Sequence, residues 1–224
     1  MLQASPSKNS EGITIYGDYS DLNTLYNVIH EIAETLNETD INQKGQHLLL
    51  LNFAYEIRKA FSGNRLTKRV KIDGNGNQIN YYGSQFAWTD ILIFIATLRI
   101  NSQISKINKL QQANLYMLEY VVERALDEYN LEGATKIKDY IGKGINVTNQ
   151  YVFIIYQALN RLYLNDTQGL KRFRNIPKLL ENYFNESSKE YKTMIGSLQL
   201  SAKKENCDIN DLEFEDLPEL NWED

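Results

Sequence analysis

The stretch that decides the fold is QFAWTDILIFIATLRIN, residues 85–101. Its centre, Ile91, Leu92, Ile93, Phe94, Ile95 and Ala96, followed by Leu98 and Ile100, is the longest uncharged apolar run in the chain. Surface helices keep one polar face, whereas this segment is apolar almost all round, as expected of a helix in the middle of a core. Thr89 or Asp90 can cap its first turn through a short side-chain oxygen. A membrane span needs about 20 predominantly apolar residues, and here Asp90 and Arg99 bracket only eight. The segment is therefore expected to be a buried helix, with a buried strand as the alternative that its β-branched content leaves open. The rest of the chain should pack around it.

Upstream, Ile13 and Ile15 alternate with Thr14 and Tyr16, a short strand signal that follows a polar, extended residue 1–11 segment. Gly17, Asp18, Ser20 and Asp21 supply a turn and an N-cap. From Leu22, apolar residues recur at three and four to about Asn37, which predicts a helix with one buried stripe. A second, more apolar helix is expected from Gln46 to about Phe61, ended by Gly63 and Asn64. Leu66 to Ile72 and Gln78 to Tyr82 flank a Gly/Asn cluster, which reads as a hairpin.

Downstream, a long helix is expected from about Ser105 to Tyr129 and a shorter one from Leu131 to Ile141, stopped by Gly142 and Gly144. Three more are expected: Val147 to Leu164, Ile176 to Phe184 with Pro177 in the first turn, and Ser187 to Lys203. The expected class is thus mainly α (α+β), a helical bundle around a buried central helix with a small β-hairpin and a short N-terminal strand. Residues 1–204 are expected to form one domain, with a weak candidate boundary near 142–146.

The 224 residues are 42% hydrophobic and 24% charged, a balance that folds rather than stays disordered. One cysteine, Cys207, excludes an intramolecular disulfide and suits a reducing cytoplasm. The N-terminal residues lack a signal-peptide layout, so a cytoplasmic, non-membrane protein is expected. The net charge of −5 hides an asymmetry: residues 205–224 carry nine acidic and no basic side chains, which leaves +4 on residues 1–204. That acidic tail also holds Leu212, Phe214, Leu217, Leu220 and Trp222, more apolar content than solubility requires. It is expected to dock, in cis or onto a neighbouring subunit, through the stretch from Phe214 to Trp222.

From Gly12 to Arg99 the chain resembles a bacterial family of unknown function that opens with GITI.GDY.DL..LY..IHEI. Here that pattern spans Gly12 to Ile32, with Gly17, Asp18, Tyr19, His30 and Glu31 in place. Similar members continue with YEIR.A..G.R, here Tyr55 to Arg65, and YY.....W.DIL, here Tyr81 to Leu92. The resemblance fades after about residue 130. It implies a small bacterial intracellular protein and no activity, substrate or catalytic residue.

Chemical motifs are sparse. His30 and Glu34 stand one turn apart, as in HExxH, but the second zinc histidine is missing and no metal site is expected. Gly74 and Gly76 lack the helix that a phosphate cradle needs behind it. Glu119, Glu123 and Asp127 stack on one helix face, most simply as a solvated ladder. Asp18 and Asp21, at a strand-to-helix corner, are candidates for a polar site together with His30 and Glu34, although capping also explains both aspartates.

The strongest partner signal is Arg161, Lys171, Arg172, Arg174 and Lys178, with Tyr163 and Phe173 interleaved, since cations beside aromatics suit phosphates and bases. The same segment could receive the acidic tail. No cofactor and no catalytic residue are expected. The function expected is that of a non-catalytic bacterial interaction or accessory protein, through a protein partner or self-association. Nucleic-acid binding or processing through residues 161–178 is the alternative.

Overall fold

The computed structural model describes residues 1–71, 77–212 and 214. Among them the chain forms strands β1 (Gln3–Pro6) and β2 (Gly12–Gly17), then helices α1 (Tyr19–Ala33) and α2 (Ile41–Phe61). Strands β3 (Leu66–Lys71) and β4 (Gln78–Ala87) lead into α3 (Trp88–Ser102) and α4 (Lys109–Ile137), which ends in a 3₁₀ turn at Lys138–Tyr140. Helices α5 (Val152–Asn165), α6 (Leu170–Phe184) and α7 (Lys189–Glu205) and a last 3₁₀ turn at Ile209–Asp211 complete the fold. The protein is mainly α with one small antiparallel sheet, as the sequence pattern predicts. No helix among the described residues is long and apolar enough to cross a membrane.

Helix α3 is the central element. Every residue from Ile91 to Leu98 is at most 3% exposed, Thr97 included, because its hydroxyl donates back to the Ile93 carbonyl at 2.8 Å. The helix touches α1, α2, α4, α5 and α6, which explains why no face of it is polar. Burying side chains of this size contributes roughly 1.5–3 kcal/mol each, so this helix contributes heavily to stability. It starts three residues later than the quoted stretch, since Gln85, Phe86 and Ala87 still belong to β4. Ala87 sits at the N-cap without a side-chain acceptor, and Asp90 reaches back to accept the Ala87 N–H at 2.9 Å.

The expected N-terminal strand and hairpin are parts of one sheet of order β1-β2-β4-β3. Residues 1–11 contribute β1, which pairs Gln3 with Tyr16 and Pro6 with Ile13. Strand β4 runs past Tyr82 so that Phe86 pairs with Ile13 and Gly83 with Tyr16. Two glycines permit the close approach. A Cβ at Gly12 would fall 1.9 Å from the Phe86 carbonyl oxygen, and one at Gly83 would fall 2.4 Å from the Tyr16 ring. Phe86 then packs edge-on against Phe53 of α2 and Phe94 of α3, which ties sheet, second helix and central helix into one aromatic cluster.

Other boundaries shift for local reasons. The break expected between Tyr129 and Leu131 is a kink inside α4: Asn130 is extended (φ −163°, ψ 103°) and its side chain accepts the Gly133 N–H at 2.8 Å, as an N-cap does. Gly142 and Gly144 follow at positive φ. Helix α6 begins at Leu170 rather than Ile176, so Pro177 lies in its interior and not in its first turn. A proline there removes one helical hydrogen bond; burial of Phe173 on one side of it and Leu180 on the other keeps the helix running.

Candidate functional site

The basic segment does not form one surface. Lys171, Arg174 and Lys178 are exposed, and their spacing of three and four puts them on one side of α6. Lys171 and Arg174 line an open groove of about 670 Å³ together with Asp166, Leu170 and Asn175. Arg174 is engaged with Glu132 of α4, and Arg161 lies half-buried on α5. Arg172 faces the other way. It is fully buried beside the apolar stripe of Phe173, Ile176 and Leu180, which corrects its expected place on a partner-facing patch.

The reason is a dense set of acceptors. The Arg172 Nη2 donates to the Asn9 carbonyl at 2.9 Å and Nε to the Ser10 hydroxyl at 3.1 Å. Nη1 donates to the carbonyls of Leu164 and Asp166 at 3.3 and 3.4 Å, and the guanidinium carbon lies 5.0 Å from the Tyr163 ring centroid. The Glu11 carboxylate, 1% exposed, lies 3.6 Å away, and both its oxygens lack a hydrogen-bond partner. Tyr163 itself donates to the Ser10 carbonyl, where Ser10 adopts φ +63°. Arg172 therefore locks the loop between β1 and β2 onto α5 and α6, and it cannot receive an acidic tail.

Asp18 and Asp21 are explained by the cap. Asp18 accepts the Asp21 N–H at 2.9 Å and Asp21 accepts the Asp18 N–H at 3.1 Å, a reciprocal capping box. The Met1 ammonium adds a 2.6 Å contact to Asp21. His30 packs on the Tyr26 ring, with centroids 4.4 Å apart, while Glu34 is exposed at the end of α1. The acidic ladder is divided between two partners, Glu119 with Arg99 and Asp127 with Lys138. Among the described residues no group of three or more His, Cys, Asp or Glu side chains is placed to hold a metal ion. Phe214 packs half-buried against the core, as does Leu212. The remaining tail, with Leu217, Leu220 and Trp222, lies outside the described residues.

Two arrangements were not singled out from the sequence. The first is a polar cluster at the start of α3. Asn160 of α5 donates to Asp90 and accepts the Thr89 hydroxyl. Burial pushes the Asp90 carboxyl up to about 6, against hydrogen bonds from Ala87, Tyr156 and Asn160 that pull it down. Burial likewise holds the Tyr156 hydroxyl well above the usual tyrosine range, and the Asp90 charge reinforces it.

The second is a cationic surface. Between Tyr55 and Lys71 the chain holds six basic residues, Arg58, Lys59, Arg65, Lys68, Arg69 and Lys71, against one acid, Glu56. Glu56 is clamped by Arg65 through two hydrogen bonds of 2.8 and 2.9 Å. Arg58 and Lys59 lie 5.5 and 5.3 Å from the Tyr55 ring centroid, and the Lys68 ammonium lies 3.6 Å from that of Tyr16. Arg69 and Lys71 alternate outward along β3, which is an edge of the sheet. The legible signal was the local charge balance, a net of five positive charges within 17 residues.

Seven α-helices, a four-stranded antiparallel sheet, polar clusters spent on caps and locks, and a strongly cationic edge among the described residues are the class these observations define. The chain belongs to a family described as a domain of unknown function (DUF6904), whose model matches residues 2–222. The membership extends well past the point near residue 130 where the motif resemblance fades. No curated protein and no solved structure matches the chain.

Proposed function

We propose that this protein is a non-catalytic bacterial interaction or accessory protein of the cytoplasm, acting through surface contacts. The observation that carries the reading is the cationic edge formed by the end of α2 and by β3, where the single acid is neutralised by Arg65. A surface of that kind attracts a polyanionic or acidic partner. The carboxylates elsewhere add support, since Asp18, Asp21 and Asp90 each hold backbone N–H groups. Binding or processing of nucleic acid through residues 161–178 is the second reading. The groove beside Lys171 and Arg174 favours it, and the burial of Arg172 weakens it.

Heparin-affinity chromatography tests the first reading. The wild-type chain should be retained at low salt despite its net charge of −5, and Arg58→Glu/Lys59→Glu/Arg69→Glu/Lys71→Glu should elute at clearly lower salt. Elution at the same salt would remove this edge as the contact surface.

A further inference from the structure

We infer that the cationic edge binds single-stranded nucleic acid, tracking the phosphates with Arg58, Lys59, Arg69 and Lys71 and stacking bases on Tyr55 and Tyr19. The inference rests on the interaction reading above and names its partner. Two simpler explanations cover part of the charge. Cations in the last turn of a helix complement its dipole, which accounts for Arg58 and Lys59. Lysine and arginine on an edge strand block unwanted strand addition, which accounts for Arg69 and Lys71.

Neither explanation calls for exposed aromatic rings beside those cations. Tyr55 is 45% exposed and Tyr19 is 58% exposed. Tyr19 stands edge-on against Phe61 at the end of α2, with ring centroids 5.4 Å apart, so the two tyrosines flank the stretch that carries Arg58 and Lys59. Rings held on helices beside exposed or half-buried cations form a stacking platform with its own phosphate contacts, which is how single strands are bound without reading sequence.

The geometry continues onto the sheet. Arg65 bridges the last turns of α2 to the start of β3 through Glu56. From there Thr67, Arg69 and Lys71 share a face of β3 with Tyr82, Asn80 and Gln78 of β4, their cross-strand partners. The six residues of β3 extend the cationic path by roughly 20 Å at about 3.3 Å per residue. A duplex has its bases stacked inside and offers these tyrosines nothing to stack on, so the unpaired strand is the ligand the rings select.

Fluorescence anisotropy with the full-length chain and labelled RNA or DNA single strands of about 20 nucleotides tests this. With about four phosphates contacted, the logarithm of the affinity should fall with that of salt at a slope near −3, or about fifty-fold between 50 and 200 mM. The same sequence as a duplex should bind more weakly. Arg58→Glu/Lys59→Glu and Arg69→Glu/Lys71→Glu should each lose at least about tenfold, while Lys171→Glu/Lys178→Glu on α6 should change nothing. Tyr55→Ala should lose about tenfold and Tyr55→Phe should keep binding, a split that charge alone does not produce.

No binding at 50 mM salt, tighter binding to duplex, or loss only in the α6 variant would overturn the inference. If heparin retention depends on the four cations but no oligonucleotide binds, the inference fails while the interaction reading stands. A synthetic 205–224 peptide that binds this edge in place of any oligonucleotide would also overturn it, since the occupant would then be the acidic stretch of another copy. Unchanged melting of each variant by circular dichroism keeps these outcomes separate from misfolding.

Discussion

The two basic stretches of this chain, residues 55–71 and 161–178, look alike as strings and behave differently in space. Both interleave cations with aromatics. In the second, the phase of α6 brings Arg172 onto the side that carries Phe173 and Ile176, and its guanidinium disappears among the acceptors of Asn9, Ser10, Leu164 and Asp166. In the first, Arg58 falls on the outward side of α2, and Arg69 and Lys71 on the exposed positions of an edge strand. A count of cations therefore does not locate a binding surface. The phase of each cation relative to the apolar stripe does.

The largest effect should come from placing a charge in the interior without such acceptors. Ile95→Asp puts a carboxylate at a position 1% exposed on α3. A buried unpaired charge costs several kcal/mol against a total stability of about 5–15, so the variant should be unfolded or aggregated by circular dichroism at 25 °C. A soluble, folded variant with unchanged melting would show that the core tolerates charge and that Arg172 needs no special accommodation.

Next comes Arg172 itself. Arg172→Met removes donors to four acceptors and leaves Glu11 buried with no counter-charge, and breaking a buried pair in this way costs about 3–5 kcal/mol. Chemical denaturation should show that loss. Glu11→Gln should cost much less, because Arg172 keeps its hydrogen bonds while the acid it faces makes none. Equal losses in the two variants would mean that the charge pair, and not the carbonyl cage, holds the arginine.

A smaller effect separates Asp90 from the exposed carboxylates. Burial raises its value from 3.8 to about 6 in the folded protein, so between those limits the folded state binds the proton that the unfolded state releases. The contribution of this group to stability is fully present below 3.8 and is lost as pH rises towards 6. At about 1.4 kcal/mol per pH unit the loss is at most on the order of 3 kcal/mol. Asp90→Asn should therefore be relatively more stable at pH 7 than at pH 4 when each is compared with wild type by melting. A difference that does not vary with pH would show that Asp90 titrates normally.

The smallest expected change is at the exposed counterpart of Arg172. Arg174→Ala breaks a surface contact with Glu132 and a 3.4 Å hydrogen bond to the Asn130 side chain, together worth roughly 1 kcal/mol. Were its loss to match that of Arg172→Met, the contrast between neighbouring cations of α6 would vanish.

Much of the local structure was legible beforehand. The spacing of Leu22, Leu25, Ile29 and Ile32 gave α1 its buried face, and the kink at Asn130 falls where the long helical pattern breaks into two. Pro177 misled, because burial of Phe173 and Leu180 around it outweighs a proline's preference for the first turn. The capping role of Asp18 and Asp21 was readable from their position. The cluster at Asp90 was not, since Asn160 arrives from 70 residues away.

The sequence by itself determined that residues 91–98 would be buried on every side, because a helix without a polar face has no stable place at a surface. It also determined that most of the helices and the hairpin exist, though not where each begins and ends, since periodicity and capping are local. Only the tertiary structure decided that β1, β2 and the hairpin share one sheet and that Arg172 points inward. Each of those depends on hydrogen bonds and packing between residues far apart in the chain, such as Arg172 with Asn9 across 163 positions. The local pattern carries no record of which partner an acceptor will find.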